Sequence, residues 1–534
     1  MKGTVYLIFF TIVAVVSFEY YRGNNSKNNF VPSILSEKTA DKEADTASSE
    51  IISKYLSAAV SQRMGDYDAA IKHYENSLAE TPQNTDIPKR LYGLYLYEGR
   101  YDEALSLSKR NIEINEANKI SPEELNPNPY LLVALDELKK GNYKEVIRIL
   151  KPLTDPSIQD KSHIDGVVIP LVISWAYVIG QQYEEAFNVI DNITTDFMLS
   201  VFSYNRSVIN DIANGKPLLI DGKEQPIEEK TIKLTADLFN EIGQYSMQNF
   251  NLEESIIYFR LARFLDPDLY KFKKILAIAF EAKGEFENAI KVYNEVSPES
   301  EYYKTTQLSI ALSKHSLGQD EEAITILEKL KEDEKLGYSS MVAIGSILMS
   351  QNKHEESIKY FSKAEKAIKE ISKDNWAVFF NLGVANDRIE NWEEAEVNLK
   401  KSIQLFPENP ESLNYLAYSW IVRNKNIKQA RAMLESAVIR SGGAPHILDS
   451  YGWALYKLGF YKEALPFLEQ AALSLPYNAI INDHLGDVYW ALGRHREARF
   501  QWSRAVYYYD EKTDSSQEIT LETIQNKIDK GLNL

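Results

Sequence analysis

The feature that most constrains the fold is a short motif repeated at a fixed interval. Gly-x-Tyr-x-x-Ala begins at Gly65 and again at Gly99, 34 residues later. It begins once more at Gly459 and, with His in place of Tyr, at Gly493, again 34 residues apart. This period is typical of helix-turn-helix units that stack in tandem. The sequence therefore predicts an all-α chain of repeated units, and a binding surface rather than a catalytic centre.

The internal pattern of one unit can be read between residues 444 and 478. Apolar residues from Leu448 to Leu458 are spaced by three or four positions, which predicts one face of a first helix. A second apolar stripe runs from Ala464 to Leu475. Gly452 and Ala464 are small where two antiparallel helices would approach to within about 8–10 Å. Neither helix could bury its stripe alone.

These residues resemble the tetratricopeptide repeat (TPR) family, whose pattern is a Leu-Gly pair, then Gly, an aromatic residue, Ala, a large apolar residue, Ala and Pro. The best matches begin at Leu382-Gly383, Tyr451-Gly452 and Leu485-Gly486. More degenerate copies bring the expected number of repeats to about twelve. The resemblance implies a TPR superhelical solenoid, in which each repeat contacts only its neighbours.

The two ends of the chain differ from the repeats. An apolar run from Gly3 to Phe18 predicts a signal peptide or a membrane anchor, and the flanking charges do not decide its orientation. Near the other end, Ile519, Ile524 and Ile528 lie on one side of a predicted capping helix. The predicted segments are 1–21 signal peptide or anchor, 22–50 flexible linker, 51–204 N-terminal TPR array, 205–229 irregular insertion with a hairpin, 230–510 C-terminal TPR array and 511–534 capping helix.

Composition and motifs give no indication of an enzyme. The chain has no cysteine, which excludes disulfides and thiolate metal sites, and its net charge of −17 disfavours nucleic acid as a partner. His354 opens the only candidate for a zinc-protease helix, but Ile358 replaces the second histidine. We therefore predict no catalytic residue, no metal and no cofactor.

The family resemblance also implies where a partner protein would bind. In TPR proteins the inner, concave wall is formed by the first helix of each repeat. The mixture of amide, acidic and aromatic groups at these positions is typical of a protein-binding surface and lacks the Lys and Arg that would bind a chaperone's acidic tail. The predicted groove residues are Asn381, Asn414, Tyr415, Tyr418, Asp449, Trp453, Tyr456, Asp483, His484, Asp487 and Trp490.

A closer resemblance covers about the last 120 residues. Residues 413–420, 448–453 and 481–487 are similar to a subgroup of bacterial envelope TPR proteins that includes a lipoprotein adaptor for a periplasmic processing protease. It implies a non-enzymatic scaffold or adaptor, inner-membrane anchored or periplasmic, whose partners include a protease and its substrates. Without a cysteine to carry a lipid, attachment would use residues 3–21. The alternative is a periplasmic component of a polysaccharide-export or outer-membrane assembly machinery.

Overall fold

The computed structural model describes residues 42–82, 84, 86–121, 125–154, 165–192, 199–216, 219–220, 223–224, 226–510 and 519–532. The predicted N-terminal segment at residues 1–21 lies outside them. The chain forms two compact units. We call the unit within Ser33–Thr306 the N-terminal unit and the unit within Gln307–Leu534 the C-terminal unit.

The described part of the N-terminal unit consists of helices and one hairpin of two short strands. A 3-10 turn, Lys151–Thr154, directly follows the helix that ends at Leu150. The elements are α1 (Lys42–Arg63), α2 (Tyr67–Glu80), α3 (Asp86–Glu98), α4 (Tyr101–Ala117), α5 (Pro127–Lys139), α6 (Tyr143–Leu150), α7 (Asp165–Ile179), α8 (Tyr183–Asp191), α9 (Leu199–Ala213), β1 (Leu219–Ile220), β2 (Lys223–Glu224), α10 (Ile227–Gln248), α11 (Leu252–Leu265), α12 (Tyr270–Lys283) and α13 (Phe286–Tyr293).

Helix α14 (Tyr303–Ser316) begins four residues before the C-terminal unit. The regular elements described in the C-terminal unit are helices, with a 3-10 turn at Lys373–Asn375. Its remaining helices are α15 (Asp320–Leu330), α16 (Gly337–Ser350), α17 (His354–Lys366), α18 (Trp376–Arg388), α19 (Trp392–Leu405), α20 (Pro410–Val422), α21 (Ile427–Arg440), α22 (Pro445–Lys457), α23 (Tyr461–Ser474), α24 (Ala479–Ala491), α25 (His495–Tyr508) and α26 (Leu521–Lys530).

Successive helices form antiparallel pairs, as the 34-residue motif predicts. Of the 26 helices described, 24 fall into twelve pairs, and α9 and α26 stand outside them. The motif glycines Gly65, Gly99, Gly459 and Gly493 have φ values of 77–81°, a left-handed conformation that ends the first helix of a pair and that residues with a Cβ rarely adopt. The glycine of the motif is therefore required by the turn.

A second kind of glycine allows the two helices of a pair to approach. A Cβ at Gly452 would lie 2.6 Å from Leu468 Cγ, and one at Gly486 would lie 2.4 Å from Trp502 Nε1. Both contacts are too short for real atoms, so the larger residue of the second helix takes the space that the glycine leaves. The close helix approach predicted at Gly452 is thus present, and it explains why this residue is small.

The segment between α8 and α10 differs from the prediction of an irregular insertion starting at residue 205. Helix α9 continues to Ala213, because Val208 and Ile209 are buried on one of its faces. Only then does the chain form a hairpin, in which Leu219 pairs with Glu224 and Ile220 with Lys223.

The N-terminal unit contains contacts that a simple solenoid lacks. Helix α3 packs against α11, more than 150 residues further along the chain. Arg260 Nε donates to the carbonyl oxygen of Tyr97 at 2.9 Å, and the Tyr101 hydroxyl donates to the Arg260 carbonyl at 2.9 Å. Lys283 Nζ donates to the hydroxyls of Tyr67 at 2.6 Å and Tyr97 at 2.9 Å. The expectation that each repeat contacts only its neighbours is therefore wrong for this unit.

Candidate binding surfaces

The predicted groove residues lie on the first helices of four successive pairs in the C-terminal unit. These first helices also contact one another, α20 with α22 and α22 with α24. A side chain that points along the row of first helices is therefore buried by the next repeat. Asn381 lies on α18; Asn414, Tyr415 and Tyr418 on α20; Asp449, Trp453 and Tyr456 on α22; and Asp483, His484, Asp487 and Trp490 on α24.

Four of these residues bind one another between α22 and α24. Asp449 Oδ1 lies 2.9 Å from His484 Nδ1. The Trp453 ring stacks on His484, with ring centroids 3.9 Å apart and planes 9° apart. The Tyr456 ring also stacks on Trp453, with centroids 4.8 Å apart. Burial lowers the pKa of His484, but the neighbouring carboxylates outweigh it, so that the net pKa is raised. The imidazole thus favours its charged form against Asp449.

The acidic residues of α24 are bound by the last helix of the chain. Lys527 on α26 donates to Asp483 at 2.6 Å and to Asp487 at 2.9 Å. The indole N–H of Trp502 on α25 donates to Asp487 Oδ1 at 2.9 Å. Burial, followed by the charge of Asp483, raises the pKa of Asp487 to about 6, although Lys527 acts in the opposite direction. We call Asp483, Asp487, Lys527 and Trp502 the lysine clamp.

The residues after α26 also cover Trp490. Its indole N–H donates to the carbonyl oxygen of Leu532 at 3.0 Å. Gly531 lies so close to the Trp490 ring that a Cβ there would be 2.0 Å from it. Ile519 and Ile524, which flank this contact, are buried in the core shared with α24 and α25. The C-terminal helix and its tail therefore cover the last inner helix.

Much of the predicted groove is consequently closed. The side chains concerned are at most 8% exposed, because α24 covers those on α22 and α26 covers those on α24. They stabilise the stacking of the repeats and do not line an open groove. The buried members of the predicted set are Asp449, Trp453, Asp483, His484 and Asp487.

The accessible part of the predicted surface lies on α18 and α20. Asn381, Asn414 and Tyr418 are half-buried there. The Tyr415 hydroxyl donates to Asp387 Oδ2 at 3.0 Å, and burial together with that carboxylate raises the pKa of Tyr415. The carbonyl oxygen of the Asn414 side chain is itself buried and has no hydrogen-bond donor among the described residues. This polar and aromatic patch, Asn381, Asn414 and Tyr418, is called the inner patch below.

Two features are absent from the described part of the chain. No group of three or more His, Asp or Glu side chains there is arranged to hold a metal ion. None of the described helices combines the length and the apolar composition that crossing a membrane requires. Residues 1–21, which carry the predicted anchor, lie outside the described part.

Comparison with known protein families supports what the helical pairs indicate. Three family models described as "Tetratricopeptide repeat" match residues 62–110, 338–370 and 452–516. The chain is a tetratricopeptide repeat protein. A TPR repeat-containing protein of Pseudomonas aeruginosa, PA4667, is 27% identical over 209 residues, which are 39% of this chain and 34% of that protein. The match thus spans about a third of the relative's length.

Two solved structures align with most of the chain. The APC/C hetero-tetramer Cut9–Hcn1 has a TM-score of 0.42 at 15% identity, covering 91% of this chain and 98% of that one. Yeast Tom70 has a TM-score of 0.36 at 15% identity, covering 90% and 96%. Tetratricopeptide repeats typically form surfaces for protein–protein interaction.

Proposed function

We propose that the protein is a non-enzymatic adaptor of the bacterial cell envelope that holds a segment of a partner protein against the inner patch. The observation that carries the proposal is the half-buried state of Asn381, Asn414 and Tyr418 beside a row of inner residues that are fully closed. The Asn381 amide can both donate and accept hydrogen bonds with a partner's main chain, whereas the buried carbonyl oxygen of Asn414 leaves that side chain only its amino group to donate. Tyr418 offers a large ring of low conformational entropy.

The envelope setting rests on sequence alone. The apolar run from Gly3 to Phe18 fits export or anchoring, and residues 413–487 resemble envelope TPR proteins that serve a processing protease. A protease and its substrates are therefore the partners we propose. A polysaccharide-export or outer-membrane assembly component is the alternative. Protease accessibility of the chain in intact spheroplasts tests the location, because only a periplasmic chain would be cleaved before lysis.

The inner patch is tested by a variant that leaves the buried network intact. Asn381→Ala, Asn414→Ala and Tyr418→Ala are combined in the full chain, and the partner is identified by crosslinking in the native membrane. We expect the crosslinked partner to be lost. Asn414→Ala removes an acceptor that has no donor, so its effect on folding should be small.

The matched control is Asn398→Ala on α19, an amide on the second helix of the same repeat array. It should retain the partner. If the triple variant keeps the melting temperature and every partner of the wild type, the inner patch is not the binding surface. Identification of a synthase or porin instead of a protease would favour the alternative function.

A further inference from the structure

A row of three exposed cations repeats on the outer helices of the last three pairs. Lys428, Lys462 and Arg496 are each the second residue of their helix, on α21, α23 and α25. They are spaced 34 residues apart, and all three are exposed. The repeat therefore places three positive charges in line, on the second helix of three consecutive units.

The same position is acidic in almost every other second helix of a pair. An acidic residue is favoured there, because the first turn of a helix carries the positive end of the helix dipole. A cation at this position acts against helix stability, so helix formation does not explain the reversal in the last three repeats. The equivalent residues are Asp68, Asp102, Glu184, Glu253, Glu287, Glu321, Glu355 and Glu393, with Lys144 as the exception.

The same three helices carry a second row, which is apolar. Ile439, Leu473 and Tyr507 are each the thirteenth residue of their helix, again 34 residues apart. They are 75%, 82% and 80% exposed. In the preceding pairs at α17 and α19 this position holds Lys366 and Gln404. Large apolar side chains that stay this exposed in register over three repeats form a contiguous feature rather than scattered surface residues.

The two rows lie on one face of the outer helices. Eleven residues separate the members of each helix, which is about three turns, and the angular offset is about 20°. The cations and the apolar residues are therefore about 16 Å apart along the helix axis. Phe500, which is 60% exposed, lies between Arg496 and Tyr507 and extends the apolar area.

We propose that this outer face is a docking site for an acidic amphipathic segment of another protein. The three helices contain seven Lys and Arg against four Glu, whereas the whole chain has a net charge of −17. Carboxylates of the partner would face the cationic row, and its apolar side chains would cover Ile439, Leu473 and Tyr507. Because the rows are separate, they also fix the direction in which the segment lies.

The outer face is independent of the inner patch. Its residues lie on the second helices of the pairs, and the inner patch lies on first helices further towards the N-terminus. A scaffold with both surfaces could hold two proteins at once. A negative result in the experiment on one surface therefore does not contradict the proposal for the other surface.

The test uses the full chain and a synthetic helical peptide of about 20 residues, long enough to span about 30 Å. Its sequence presents leucines on one face and glutamates along one edge, and binding is followed by fluorescence anisotropy. Two triple variants are compared with the wild type. The charge variant is Lys428→Glu, Lys462→Glu and Arg496→Glu, and the apolar variant is Ile439→Ser, Leu473→Ser and Tyr507→Ser.

We expect each triple variant to weaken peptide binding by about tenfold or more. A peptide with lysines in place of glutamates should reverse the preference and bind the charge variant better than the wild type. The matched control, Glu393→Lys with Gln404→Ser on α19, changes the same two positions of the preceding repeat and should not weaken binding. Circular dichroism should show unchanged helix content in all variants.

Three results would overturn the proposal. The first is the absence of saturable peptide binding to the wild type at millimolar concentration. The second is binding of phosphatidylglycerol vesicles that both triple variants lose while peptide binding is unaffected, which would assign the face to a membrane. The third is wild-type self-association in sedimentation that the apolar variant abolishes, which would assign it to a second copy of this chain.

Discussion

Asp487 shows how a residue chosen as a surface ligand can instead belong to the interior. It accepts from Trp502 and Lys527 and is 3% exposed. A carboxylate that loses water is destabilised unless cations and donors replace the water. Lys527 supplies the cation and Trp502 a donor, but Asp483 lies beside Asp487 and repels its charge. The net result is a carboxyl group that takes up a proton more readily in the folded state.

The first prediction concerns the pH dependence that follows. The pKa of Asp487 is about 6 in the folded state, against 3.8 as its ordinary value. The folded state thus binds more protons between about pH 4 and pH 6, and the free energy of unfolding falls as pH rises through this window. Asp487→Asn should lack this loss, which is on the order of 2–3 kcal/mol. His484 stays protonated in both states here, because its folded pKa is raised above 6.5.

Urea unfolding followed by tryptophan fluorescence at several pH values measures the effect. The relevant quantity is the difference in unfolding free energy between the wild type and Asp487→Asn, since other carboxyl groups titrate in both proteins. A difference that is constant from pH 4 to pH 6, or that grows in favour of the wild type as pH rises, would contradict the assignment.

The second prediction concerns the glycines between paired helices. Gly452→Ala should destabilise the protein by about 1–3 kcal/mol, because the new methyl group would lie 2.6 Å from Leu468 Cγ. Gly93→Ala is the control: Gly93 is also within a helix, α3, but nothing lies within 4 Å of a Cβ there. That control should be neutral or stabilising by up to about 1 kcal/mol. Calorimetry of both variants distinguishes packing from helix propensity, and equal melting temperatures would refute the packing explanation.

At the scale of the helix, periodicity predicted some elements well. The apolar stripe at residues 448–458 corresponds to α22 (Pro445–Lys457), and the stripe at 464–475 corresponds to α23 (Tyr461–Ser474). These features are local, so one sequence suffices to find them. Burial of the predicted groove residues is not local. It depends on how closely the first helices stack and on where α26 lies. One residue in the sequence indicates the position of α26, which is Lys527, a cation that could pair with buried carboxylates.

The third prediction tests α26 as a cover held by the lysine clamp. Lys527→Met should cost about 3–5 kcal/mol, because it leaves Asp483 and Asp487 buried without their cation. Adding Asp483→Asn and Asp487→Asn should recover most of this loss, since no uncompensated charge remains. Unfolding free energies of the single and triple variants measure the recovery. If the loss of unfolding free energy in the triple variant equals the sum of the losses in the three single variants, the three residues do not act as one network.

The fourth prediction concerns the outer helices and needs no binding partner. Lys428→Glu places a carboxylate in the first turn of α21, where the helix dipole favours it. The variant should therefore be more stable than the wild type by about 0.3–1 kcal/mol at low salt, and the gain should shrink as salt is added. Lys457→Glu in the last turn of α22 is the reversed control and should destabilise. Thermal melts at two salt concentrations suffice, and a loss of stability on Lys428→Glu would remove the argument that this cation opposes folding.

At the scale of the whole molecule, the two units differ in how far their contacts reach along the chain. In the C-terminal unit the inner helices contact their successors, whereas in the N-terminal unit α3 and α11 meet across more than 150 residues. Arg260 lies at the centre of this contact, where burial lowers its pKa and the Tyr97 carbonyl oxygen accepts from its guanidinium. Such a contact has no periodic sequence signal, since it needs one cation in the right place. It also has an entropic cost of ordering the long intervening chain.

The fifth prediction follows from the position of Arg260 between α3 and α11. Arg260→Met should break the bond to the Tyr97 carbonyl and loosen the packing of α3 on α11, while leaving each helix pair able to form. Hydrogen exchange should therefore accelerate in residues 86–98 and 252–265, by about tenfold or more if the contact supplies at least 1.4 kcal/mol to local stability. Arg148→Met is the control, because Arg148 binds only the exposed carboxylates of Glu145 and Glu116 among its described partners. Exchange in α22 and α23 provides an internal reference. Unchanged exchange in α3 and α11 would mean that the remaining contacts hold these two helices together without Arg260.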